Sequence, residues 1–130
     1  MYTVDYFIDK FSKIPEDKWH AGGYWNTDAC GNRMFCALGH CGEYFFDEGF
    51  GRQRMKTAES KALWDLVYFS LKLIIQDIND APYFPTYMQQ TPKQRILAAL
   101  YDIKRAQYPE LTDLPVTVED LIGHNELVHN

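Results

Sequence analysis

Val4, Phe7, Ile8, Phe11 and Ile14 recur at three- and four-residue intervals, the period of one helix face. Thr3 offers a side-chain oxygen to the first turn and Pro15 interrupts the run, so the pattern predicts a helix over 4–14. The longest periodic stretch lies at 58–78. There Leu63, Leu66, Val67, Ser70, Leu71, Ile74, Ile75 and Ile78 keep the helical spacing, and Trp64 and Tyr68 widen the stripe. At about 1.5 Å per residue this helix would run roughly 30 Å, long enough to be the central rod of a small domain. Asn79, Asp80 and Pro82 close it. Thr91-Pro92-Lys93-Gln94 has the form of a capping box with proline in the first helical position. Ile96, Leu97, Leu100 and Ile103 give the helix that follows, over 92–106, its buried face. Shorter helices are expected over 35–46, along Ala37, Leu38, Cys41 and Phe45 with Asn32 or a neighbour as cap, and from Thr117, with Asp120 reaching back.

Between these periodic stretches the pattern changes. Trp19, Gly22, Gly23, Tyr24 and Trp25 run into the turn formers Asn26, Thr27, Asp28, Gly31 and Asn32, which reads as a short extended piece and a tight turn. Residues 81–90, with Pro82, Pro85 and the rings Tyr83, Phe84 and Tyr87, read as an ordered loop over the core. Repeats, low-complexity tracts and linker-like stretches are absent from the sequence. The expected architecture is therefore mainly α: a single domain over 1–130, a bundle of four to five helices around 58–78, with at most one short β-hairpin. Its core would span about 4–106, with 107–130 as a C-terminal extension.

Composition sharpens this picture in three ways. The aromatic share is 15%, with 9 Tyr, 8 Phe and 3 Trp, and large rings let a short chain bury much area through few side chains. A net charge of −5 repels phosphate backbones and anionic headgroups, so neither nucleic acid nor a membrane is expected as partner. Three cysteines without framework spacing suit reduced thiols and a cytoplasmic protein; the N-terminus lacks the basic and apolar regions of a secretory leader.

The most suggestive chemistry lies in Cys36-Ala37-Leu38-Gly39-His40-Cys41-Gly42. In a helix Cys36 and His40 share a face with Glu43 one turn on, and a thiol near a helix N-terminus gains acidity from the backbone dipole. Cys36 as nucleophile, His40 or His20 as base, and Glu43 or Asp28 as orienting group would make a small cysteine-dependent hydrolase or transferase. The competing reading is structural: small residues let this segment pack closely against its neighbours. Cys30, Cys36, His40 and His20 form an alternative metal set, though without the paired spacing of structural zinc sites. Asn26-Thr27-Asp28 resembles the start of a calcium loop but has Ala37 where the bidentate Glu belongs. No cofactor is expected. Asp77, Asn79 and Asp80 end the 58–78 helix against its dipole; the reading preferred for Asn79 and Asp80 is that they tie down the aromatic loop. His124 and His129, in a polar C-terminal stretch, are expected to be exposed.

Trp25, Asp28 to Gly31, the Cys36-Ala37-Leu38-Gly39 segment, Asn79-Asp80-Ala81-Pro82 and Thr91-Pro92 before Arg95-Ile96-Leu97 follow one another in an order that resembles a family of small bacterial and phage proteins. That family carries C-x-L-G, N-D-x-P and a Thr-capped final helix. Its function is unknown, so the resemblance implies a helical fold over roughly 4–106 and assigns no catalytic residue. The preferred expectation is a non-enzymatic binding or inhibitory module for a partner protein or small metabolite. Its expected contact surface combines Trp19, Tyr24 and Trp25 with Tyr83, Phe84 and Tyr87.

Overall fold

Helix α1 (Val4–Ser12) forms where its apolar period predicts it. Thr3 Oγ1 accepts the Tyr6 N–H at 3.2 Å, and Val4, Phe7, Ile8 and Phe11 are buried. The computed structural model describes residues 1–22, 25–27, 29–42 and 57–110, with the backbone alone at Trp25. Beyond Pro15 a 3₁₀ turn (Glu16–Lys18) swings Trp19 inward, so that its ring meets Phe11 edge-on at 5.3 Å. The expected hairpin is present. Strands β1 (Trp25–Thr27) and β2 (Arg33–Phe35) pair antiparallel, Trp25 opposite Phe35 and Thr27 opposite Arg33. The His20 N–H also donates to the Phe35 carbonyl at 2.9 Å, fastening the segment that follows Trp19 to β2.

The helix expected over 35–46 is much shorter. The backbone through Phe35 is committed to the strand, and α2 is the single turn Ala37–His40. Gly42, at φ +106°, turns the chain away, and a Cβ there would lie 2.6 Å from Thr57 Cγ2. Thr57 Oγ1 donates to the Cys41 carbonyl at 2.7 Å and accepts the Ser60 N–H at 3.0 Å, so the end of α2 abuts the capped start of the next helix. Residues 43–46, including Glu43 and Phe45, lie outside the described residues, as do Tyr24, Asp28 and the helix expected from Thr117.

The 58–78 rod is two helices. Helix α3 (Ala58–Leu71) ends at Lys72, which adopts φ 59° and donates its N–H to the Tyr68 carbonyl at 2.8 Å. Helix α4 (Ile75–Asp80) starts again three residues later. The helical period runs through the break because Val67 and Ile78, eleven residues apart, fall on one line of a continuous helix. Ile75 would lie about 80° off that line, yet it is buried alongside Ile78. Re-aiming the last turn inserts both isoleucines and brings the end of α4 to its partner on the final helix.

That final helix, α5 (Pro92–Gln107), is the true centre. It buries Ile96, Leu97, Ala99, Leu100, Tyr101 and Ile103, and packs against α1, α3 and α4. Helix α3 buries only Ser60, Leu63 and Val67 and leaves Phe69 64% exposed. Thr91 caps α5 as expected, accepting the Gln94 N–H at 3.2 Å; the return half of the capping box is not made, and Gln94 Oε1 is buried without a hydrogen-bond partner. Two cations near the start of α5 are buried as well. Lys93 donates to the Ser12 carbonyl at the end of α1 (3.1 Å). Arg95, 2% exposed, donates to Ile78 O (2.7 Å), Asn79 O (2.7 Å) and Gln89 O (2.8 Å). The architecture is thus mainly α, five helices and one two-stranded hairpin among the described residues. No helix among them is long and apolar enough to cross a membrane.

Arg95→Met keeps the apolar stem and strips three carbonyls of their donor. It should cost about 3 kcal/mol or more in urea unfolding with an unchanged denaturant slope, and Arg95→Lys should recover only part of it. Lys72→Gly should stabilise by about 0.5–1 kcal/mol in the same assay, because glycine occupies the left-handed region without a Cβ clash.

Candidate functional site

Cys36 does not lie on a shared helix face with His40. It is the residue before α2, where its Sγ accepts the Gly39 N–H at 3.3 Å and takes the role a serine often fills. The side chain is 1% exposed. Burial pushes its thiol up to about 11, and the nearby Asp80 carboxylate adds to this against the opposing backbone N–H groups. His40 points the other way in acid–base terms. Its ring sits between Trp19 (5.0 Å) and Phe35 (5.3 Å), and its Nε2 is 3.0 Å from the Lys18 carbonyl. Because a carbonyl only accepts, the neutral ring carries its hydrogen on Nε2. Burial holds the imidazole down to about 4. Burial thus disfavours both the thiolate and the imidazolium that proton transfer from Cys36 to His40 would create. This pair is poorly suited to generating a thiolate.

The alternative metal set is not assembled. Cys30 is exposed in the hairpin turn, Cys36 is buried at the start of α2, and His40 is engaged by Lys18. Among the described residues no group of three or more His, Cys, Asp or Glu side chains could hold a metal ion.

The expected aromatic surface divides. Trp19 and Tyr87 are core residues, which corrects their assignment to a contact surface; both were drawn inward because a large ring gains more from burial than a loop position alone suggests. Tyr83 is half-buried against the core. Tyr24 and the Trp25 side chain lie outside the described residues. Among the described members of the predicted set Phe84 stands out, 80% exposed, with Met88 also exposed.

Phe84 is held there by the loop beneath it. Tyr83 and Tyr87 exchange backbone hydrogen bonds of 2.6 and 2.8 Å, and the Phe84–Pro85 peptide is cis. The Tyr87 hydroxyl donates to Asp102 Oδ2 on α5 at 2.7 Å; Asp102 is also paired with Arg105. Burial first, then that carboxylate, raises the Tyr87 pKa above the usual phenol range. Arg95 fixes the far end of the loop through Gln89 O.

Asn79 and Asp80, expected to tie down this loop, instead hold the hairpin segment. Asn79 Oδ1 accepts the Ala37 N–H at 3.1 Å and its Nδ2 donates to His20 O at 2.9 Å. Asp80 Oδ1 accepts the Gly22 N–H at 3.0 Å. Ala37, Asn79 and Arg95 therefore meet at one buried polar junction. A second cluster was invisible in the sequence. Glu59 of α3 accepts from Lys10 at 2.7 Å and from the Tyr6 hydroxyl of α1, and this hydrogen bond pushes the Tyr6 phenol up to about 12. Forty-nine residues separate Lys10 from Glu59, so no local pattern could announce the pair. Comparison with family models, curated proteins and solved structures finds no match to this chain.

Thiol labelling at pH 8 should modify Cys30 rapidly, whereas Cys36 and Cys41 should react only at the rate of opening or unfolding. Mass mapping of the labelled peptides reads the order, and a Cys36 that labels as fast as Cys30 would contradict the packed thiol described above.

Proposed function

We propose that this domain is a non-catalytic binding module that engages a partner protein through the Phe84 loop, with inhibition of that partner as the natural consequence. The observation that carries the reading is the 80% exposure of Phe84 on a turn pinned at both ends. Burying a phenylalanine ring is worth about 1.5–3 kcal/mol, which this position forgoes in the free domain and can gain on association. Rigid presentation lowers the ordering cost of binding, the usual property of an aromatic anchor at an interface. A ring this far out of the surface cannot line a cleft, so a pocket on a protein suits it better than a small metabolite, which needs a concave site.

Other features agree with this reading. The net charge of −5 disfavours nucleic acid and anionic membrane surfaces as partners. Cys30, Cys36 and Cys41 form no disulfide, which supports a reducing, cytoplasmic setting.

The test compares three immobilised baits, wild type, Phe84→Ala and Phe69→Ala, in extract of the organism that encodes the chain. Phe69→Ala removes another exposed ring, 64% against 80%, from a different element. At least one protein should be retained by wild type and Phe69→Ala and reduced roughly tenfold or more by Phe84→Ala, with unfolding temperatures unchanged. Identical retained sets for wild type and Phe84→Ala would overturn the assignment.

A further inference from the structure

Helix α3 has two unlike faces. Ser60, Leu63 and Val67 turn inward and are buried. At about 100° per residue, Lys61, Asp65, Tyr68 and Phe69 fall on the far side, followed by Lys72 at the C-terminal cap. Tyr68 is 43% and Phe69 64% exposed, and their rings meet edge-on at 5.5 Å, so they form one aromatic patch. Lys72 occupies the left-handed region at φ 59°, where glycine would sit without strain, and its Nζ lies 5.9 Å from the centre of the Phe69 ring. A lysine in a backbone conformation that costs stability points to a use for its charge beside that ring.

We propose that this face of α3 binds a second copy of itself, the two α3 helices crossing antiparallel about a two-fold axis between residues 68 and 69. A two-fold contact needs a patch that complements itself. In an antiparallel pair the residues facing each other have numbers of constant sum, so the position of the axis fixes every contact. With the axis between 68 and 69, Tyr68 faces the second copy's Phe69 and Asp65 faces the second copy's Lys72, each contact made twice. Other registers fail. An axis at Asp65 sets two carboxylates against each other and Phe69 against Lys61. An axis at Leu63 pairs Lys61 with Asp65 but carries Phe69 to Thr57, beyond the first turn of the helix.

Within one chain Asp65 accepts from Lys61 at 2.9 Å, and the two side chains are 38% and 66% exposed. A solvated pair of this kind contributes little, so Asp65 can exchange Lys61 for the second copy's Lys72 at small cost. The two rings offer on the order of 200 Å² of uncovered surface per copy, against about 800 Å² per partner in a stable interface. The dimer is therefore weak and forms at high concentration. It does not rest on the Phe84 loop, which is a separate element.

Sedimentation equilibrium of the full chain, from about 10 μM to about 1 mM, tests this. The average mass of wild type should rise above that of one chain as concentration increases. Phe69→Ala should weaken association roughly tenfold or more, whereas Phe84→Ala should match wild type. Asp65→Lys and Lys72→Asp each set like charges opposite one another twice, so each alone should associate about tenfold more weakly. An equimolar mixture of these two variants restores both opposite-charge pairs and should associate more strongly than either variant by itself. A wild type that stays monomeric throughout, equal weakening by Phe69→Ala and Phe84→Ala, or a mixture no stronger than its components would each overturn the dimer. Should a charge variant not fold, amide NMR shifts of wild type across the same concentrations decide. Shifts should concentrate at residues 65–72, and a rising mass with those amides unmoved refutes the contact.

Discussion

Arg95 is the constraint on which the tertiary structure turns. Its guanidinium is 2% exposed and gives three N–H bonds to the carbonyls of Ile78, Asn79 and Gln89. Taking a guanidinium out of water is costly unless its donors are all well placed. Here α4 must end beside α5 and the aromatic loop must return at Gln89 before that condition is met. Lys93 repeats the arrangement with the end of α1. Each cation opposes the dipole of α5, whose first turn it occupies, and satisfies the carbonyl end of another helix. The helices are therefore coupled: neither charge is comfortably buried until its neighbours are in place.

Asn79 extends this coupling to the hairpin. Its backbone carbonyl accepts from Arg95, while its side chain takes the Ala37 N–H and gives to the His20 carbonyl. A single buried amide thereby links α5, α4, α2 and the segment that follows Trp19. Cys36 lies at the same junction as the cap of α2, and burial there makes its sulfur a weak acid. The residues that look most chemical in the sequence are thus consumed by structural hydrogen bonds, while the ring of Phe84 is presented to solvent on its braced turn.

Much of the fold was legible in the primary sequence. Helix α1 followed from its apolar period, its Thr3 cap and Pro15; α5 from Thr91-Pro92 and the Ile96–Ile103 stripe; the hairpin from the cluster of turn formers around Gly31. These are local properties, set by hydrogen bonds and side-chain spacing within a few residues. The candidate site was legible only in part. Phe84 was named, but so were Trp19 and Tyr87, since an aromatic residue in a loop carries no mark of whether its ring turns inward or out.

What the sequence by itself determined is therefore the mainly helical class, the hairpin and the capped starts of α1 and α5. Only the tertiary structure decided that the 58–78 stripe breaks at Lys72, that α5 and not this stripe is the centre, and that Lys93 and Arg95 belong inside. The helical period continues through Lys72, and a lysine and an arginine in a first turn look like solvated residues. Their placement depends on carbonyls contributed from as far as 81 residues away, as Lys93 and Ser12 are. A local pattern cannot encode an acceptor that exists only once the chain has folded back on itself.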